Sequence, residues 1–225
     1  ILMRKKWLAL GCLLIIVLLG IWAYNVWFGT TKIAFVNFQT ITMGGIAKAN
    51  DNSFIKLQEV PVEELDRLSG FDMVFVNGMG LRVVEEQRQQ IQKAADKGVL
   101  VYTTMATNPA NNICTIDSVD QVAWRGYLGS GGRRNYKNML NYIRKNMDKK
   151  LISVEEPGVP IERSSDVLYH VDVDKPGDEL DFVSVEEYEK YLKSKQLYKE
   201  GAKKIVVTGQ MADATGLIDT LERVG

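Results

Sequence analysis

Cysteine and histidine are scarce in this sequence, with two cysteines and one histidine among 225 residues. Two cysteines build no disulfide framework here, because Cys12 lies inside an apolar segment away from Cys114. The same scarcity argues against a structural zinc site, and a lone histidine, His170, excludes a His-rich metal cage within these residues. An excess of charge is also missing, since 28 basic side chains face 28 acidic ones. No basic run occurs beyond the extreme N-terminus, so the electrostatic footprint of a nucleic-acid-binding protein is absent. There is no P-loop, no nucleophile–base pair and no carboxylate pair at diagnostic spacing. The five prolines are unevenly spread, and three of them, Pro157, Pro160 and Pro176, fall in one stretch.

What the sequence does have is a long apolar run. Trp7–Phe28 carries no charge. As a helix it would reach about 33 Å, against a hydrocarbon core of roughly 30 Å. Its aliphatics, Leu14 and Leu18 among them, favour insertion by about 3 to 6 kcal/mol before the cost of Asn25 is subtracted. Trp7 at one end and Trp22, Tyr24 and Trp27 toward the other suit the two interfaces. Arg4, Lys5 and Lys6 precede the run, while Gly29-Thr30-Thr31-Lys32 after it is nearly uncharged. The positive-inside rule therefore predicts a cytoplasmic N-terminus over residues 1–6, a membrane anchor over 7–28 and a body on the periplasmic side of an inner membrane. A cleaved signal peptide would need small residues where Trp22–Phe28 is bulky and aromatic. Leu10-Gly11-Cys12 resembles a lipoprotein signal, but too little apolar sequence precedes it.

The body alternates strand and helix signals. Lys32–Asn37, Phe54–Val60, Asp72–Asn77 and Val99–Thr104 read as strands. Between them lie a helix near Ile46, a short one opened by Pro61, and a longer one over Val83–Lys97 that Gly98 stops. This alternation predicts an α/β domain over 32–150, with a parallel sheet covered on both faces in flavodoxin-like or Rossmann-like style. Helices follow over Ser118–Leu128 and Asn135–Met147, the latter with Tyr136, Met139, Leu140, Ile143 and Met147 on one face. The proline-bearing stretch 151–183 reads as an extended connection. From Ser184, a capping-box pattern opens a helix with Tyr188, Tyr191 and Leu192. A strand over Lys204–Thr208 and a helix with Leu217, Ile218, Leu221 and Val224 then read as the start of a second α/β domain over 184–225, expected to continue in a longer protein.

Features that bear on chemistry are few. Gly78-Met79-Gly80 follows a strand, where backbone amides hold phosphates in some folds, but the third glycine and downstream acid are missing, which favours a tight turn. Gly44-Gly45 has the same standing. Gly131-Gly132-Arg133-Arg134-Asn135 offers two guanidiniums for carboxylates beside a helix start, or a solvated helix-to-helix turn. His170, in Leu168-Tyr169-His170-Val171-Asp172, has the chemistry to ligate iron or shuttle a proton, with Asp172 or Asp174 orienting it. A structural histidine beside a tyrosine is the plainer alternative.

Two stretches resemble the large subunit of class II chelatases, the family of the cobaltochelatase large subunit and the magnesium chelatase heavy subunit. The first is Tyr127-Leu128-Gly129-Ser130-Gly131-Gly132-Arg133-Arg134-Asn135 with Met139-Leu140-Asn141-Tyr142-Ile143. The second runs from Pro160 to Leu168-Tyr169-His170, with Val171 where the family has a proline. The resemblance implies a tetrapyrrole substrate and assigns His170 as a catalytic and tetrapyrrole-binding candidate, with Tyr169, Arg133 and Arg134 as further binding candidates. The anchor selects the branch. A body held outside the cytoplasm is separated from ATP-driven motor subunits, and the chain looks most like the membrane-anchored chelatase-like proteins of bacterial haem uptake. The implied reaction is removal of iron from haem, with haem-uptake proteins as partners and an acceptor or reductant that weakens iron binding. Two alternatives stand: a cobaltochelatase subunit inserting cobalt into a corrin precursor with ATPase partners, and a non-catalytic haem-binding or carrier module.

Overall fold

The computed structural model describes residues 2–162, 168–175, 179–182, 184–203, 205 and 214–224. It opens on helix α1, Leu2–Phe28. Its Leu10–Phe28 portion is long and apolar enough to cross a membrane. Trp7 lies on the same helix, and Leu14, Leu18, Trp22 and Trp27 are all exposed. Such a surface has no aqueous rationale, because contiguous apolar area on this scale marks a membrane or partner contact.

The four strands expected from the sequence are present: β1 Thr31–Val36, β2 Ile55–Glu59, β3 Met73–Asn77 and β4 Leu100–Thr104. They form one parallel sheet in the order β2-β1-β3-β4. Helix α2, Thr40–Ala49, joins β1 to β2, and two short 3-10 turns over Val62–Gly70 join β2 to β3. Helix α3, Glu85–Asp96, returns the chain to β4. Gly44 and Gly45 are interior to α2, so they form no loop after β1.

Period-two alternation divides the strand side chains between two cores. Ile33, Phe35, Met73, Phe75 and Tyr102 face Ile46 of α2 and the helices α4, Ser118–Ser130, and α5, Arg133–Tyr142. Ala34, Val36, Val74, Val76 and Val101 face Leu65, Leu68, Ile91, Ala94 and Ala95. Both faces of β1 and β3 are covered, which is why these strands read as continuous apolar runs. Aromatic packing centres on Phe75, stacked on Phe35 at 5.3 Å between ring centroids and 4.8 Å from Trp124.

The helix expected over Asn135–Met147 begins two residues earlier and ends in a π-helical turn, Ile143–Met147. The stretch 151–183 departs from a plain extended connection. Its first part packs on α4 and α5, and it then forms an antiparallel hairpin of β5, Leu168–Val171, and β6, Glu179–Phe182. Helix α6, Val185–Ser194, starts at the expected cap, with Ser184 Oγ accepting from the Glu187 N–H at 3.2 Å. Helix α7, Ala214–Val224, lies against β5. The strand expected over Lys204–Thr208 falls outside the described residues except for Ile205.

Candidate functional site

In an open parallel sheet, ligands are bound beyond the carboxyl ends of the strands where the chain order reverses. Here that point lies between β1 and β3. Asn37, directly after β1, has φ 59°, a left-handed conformation that asparagine tolerates better than most residues. Its Nδ2 donates to the carbonyls of Asn77 (2.8 Å) and Met79 (3.2 Å), tying the two loops across the reversal. Met105, directly after β4, is also left-handed, at φ 42°. Two non-glycine residues in this conformation at one sheet edge mark a place where tertiary contacts override local preference.

The glycine loop beside them holds no phosphate cradle, because its amides are already engaged. Gly78 N–H donates to Thr104 O (2.7 Å), Met79 N–H to Asn77 Oδ1 (3.2 Å) and Gly80 N–H to Thr107 Oγ1 (3.2 Å). A Cβ on Gly78 would lie 2.5 Å from Ala106 Cα, so this glycine serves a close approach of two backbones. Helix α3 begins only at Glu85, with Glu85 and Glu86 in its first turn, which repel an anion there.

The Gly131–Asn135 motif is a built turn. Gly131 and Gly132 have φ 63° and 82°, in the region that favours glycine. Buried Asn135 donates through Nδ2 to Gly131 O and Ile161 O, both at 2.8 Å, and accepts from the Ile161 N–H at 2.9 Å. Tyr127 OH donates to Gly158 O at 2.6 Å, and burial pushes this phenol's pKa up. Gly126 gives Pro160 its place, since a Cβ there would meet the Pro160 ring at 2.5 Å. These residues clasp the 157–161 segment onto α4 and α5. Arg134 is exposed at the start of α5 and Arg133 is half-buried.

His170 is buried on β5, and neighbouring Tyr169 is half-buried. The His170 ring lies 2.6 Å from Val171 O through Nδ1 and 2.7 Å from Glu222 Oε2 through Nε2. A carbonyl only accepts, so the Nδ1 contact is one in which the imidazole donates, and the Glu222 carboxylate faces Nε2. Tyr188 OH donates to Glu222 Oε1 at 2.8 Å. Burial first and the Glu222 carboxylate second raise the Tyr188 pKa above its ordinary value. The histidine's partners are thus a carboxylate and a carbonyl, whereas the sequence pointed to Asp172 or Asp174 as orienting acids. Glu222 lies 52 residues away on a helix that the sequence placed in a second domain, so nothing local signals the pairing.

Arg144 was also missed, because it looks like one more solvated cation in Arg144-Lys145. It is fully buried, and donates to Thr31 Oγ1 (2.9 Å), Gly29 O (3.1 Å) and Ile152 O (2.6 Å). Thr31 Oγ1 in turn donates to Asp148 at 2.5 Å. Burial raises the Asp148 pKa against the opposing Thr31 hydrogen bond, and burial lowers that of Arg144. Among the described residues, no three or more His, Cys, Asp or Glu side chains are grouped to hold a metal ion. Comparisons with protein-family models, curated proteins and solved structures found no match for this chain.

Proposed function

We propose that this is a membrane-anchored, chelatase-like protein that acts on a tetrapyrrole and removes iron from haem in iron acquisition. Its body stands on the periplasmic side of an inner membrane, and its first domain is of the flavodoxin-like kind. The strand order β2-β1-β3-β4 supports that domain type. The observation that carries the functional reading is the Tyr127–Asn135 unit. The residues that resemble the chelatase pattern are those that shape this turn and pin Ile161, from which the chain leads on toward Tyr169 and His170.

The chemistry required is modest in kind. Iron leaves the ring as Fe²⁺, two protons take its place on the pyrrole nitrogens, and an external one-electron reductant first converts Fe³⁺ to Fe²⁺. The His170–Glu222–Tyr188 network links an imidazole, a carboxylate and a phenol by hydrogen bonds, a path along which a proton can be relayed. Arg133 and Arg134, at the start of α5, suit the propionates of such a ring.

The test is to add haem to the native protein in detergent, anaerobically and with dithionite, and to follow porphyrin fluorescence. Porphyrin is expected to appear without ATP, and His170→Ala to slow its release by about 100-fold while haem binding persists. Haem bound with no porphyrin released would overturn the enzymatic reading in favour of a carrier. Binding of a cobalt-free corrin precursor in place of haem, with turnover dependent on ATPase subunits, would overturn it in favour of cobalt insertion.

A further inference from the structure

The turn that follows the π-helical segment grips the end of α1. Lys150 is only 7% exposed, and its Nζ donates to the carbonyls of Asn25 (3.0 Å) and Val26 (2.9 Å). The Leu151 N–H donates to Trp27 O at 2.7 Å, and Arg144 reaches Gly29 O. A helix leaves its last carbonyls unpaired and carries partial negative charge there, so a buried lysine is well matched to that end. Lys149 and Ser153, on either side of the grip, are both left-handed, with φ 52° and 50°. The turn is therefore held in a conformation that its own residues disfavour.

This geometry sets a depth. An N–H bonded to the Trp27 carbonyl lies at the level of Trp27. If α1 crosses a bilayer, Trp27 sits in the interfacial belt, and Leu151 sits there with it. Leu151 is 64% exposed and Ile152 is 36% exposed, an apolar pair that the body leaves partly open to its surroundings. Lys149 beside them is exposed, so that apolar side chains can enter the acyl boundary while an ammonium meets lipid phosphates. We infer that the Lys149–Ile152 turn is a second membrane contact, seated shallowly in the bilayer next to Trp27. Its occupant is the lipid surface itself. The body then stands in one orientation, with the amino ends of the strands toward the membrane and the reversal between β1 and β3 roughly 17–20 Å further out. This inference rests on the anchor half of the proposal above and is independent of the tetrapyrrole half.

The test uses the whole protein with Cys12→Ala and Cys114→Ser, reconstituted in phosphatidylcholine–phosphatidylglycerol vesicles. Single cysteines at Leu151→Cys, Ile152→Cys, Met105→Cys and Leu18→Cys carry a bimane label. Nitroxide near the top of the acyl chain should remove most of the emission from positions 151 and 152, while aqueous iodide should spare them. Position 105, at the far edge of the sheet, should show the reverse. A label at position 18 should respond to nitroxide deep in the chain. Positions 151 and 152 as open to iodide as 105, with 18 still lipid-quenched, would overturn the second contact and leave the anchor standing. Position 18 untouched by lipid nitroxide would overturn the anchor itself, and the second contact with it.

Discussion

Arg144 shows how a single charge organises its surroundings when it is buried. It holds the carbonyls of Gly29 and Ile152 and the hydroxyl of Thr31 in one place. Arg144→Met should strand these acceptors and lower stability by about 3 kcal/mol, read as a lower urea midpoint at unchanged slope. Tyr142 gives a pH-dependent counterpart. Burial, then the hydrogen bond to Asp120, raises its pKa from 10.0 to about 12. The folded state therefore keeps the phenol proton longer than the unfolded chain. The contribution is complete below pH 10.0 and is lost as pH rises through about 12. Alkaline titration of stability should show that decline in the wild type, and Tyr142→Phe should lack this component. Neither residue announces itself in the sequence: Arg144 is followed by a lysine, and Tyr142 lies outside the apolar face read over Asn135–Met147.

At the scale of elements, the strands and helices of the sheet domain were largely legible, and the reason is periodicity. Fully buried parallel strands must be apolar on both faces, and Ile33, Ala34, Phe35 and Val36 and Met73, Val74, Phe75 and Val76 are. Helix α3 was legible from one apolar stripe and its Gly98 stop. The β5–β6 hairpin was not legible, because Leu168-Tyr169-His170-Val171 is short and its pairing with Glu179–Phe182 is decided by contact with the other strand. The clasp between α4 and the 157–161 segment was equally hidden, since a proline-bearing stretch reads as a connection wherever it packs. Gly126→Ala tests it. The added methyl meets the rigid Pro160 ring, so a loss of about 1–3 kcal/mol is expected. Cleavage by a protease between residues 151 and 162 should speed up in parallel. Asn135→Ala should produce the same cleavage signature by a different route, with about 1–3 kcal/mol lost from unpaired backbone groups at Gly131 and Ile161.

For the whole molecule, the relation between the apolar helix α1 and the body matters most. A helix joined only by a flexible tether would leave the body's stability unchanged on removal. Here Lys150 and Leu151 bond to Asn25, Val26 and Trp27, so a chain starting at Gly29 should be less stable than one that keeps Asn25–Phe28. The expected difference is about 1 kcal/mol, because water re-solvates Lys150 once the helix is gone. Equal thermal midpoints for the two chains would show that the grip does not stabilise the body. The sequence by itself determined the apolar helix and the parallel α/β sheet, because both follow from runs of side chains along the chain that a membrane or a two-sided core must cover. Only the tertiary structure decided how the two are joined, which acid meets His170 and what the glycine loop does with its amides. Those depend on partners distant in the chain, such as Lys150 with Val26 and His170 with Glu222, and no local pattern encodes a meeting that folding alone brings about.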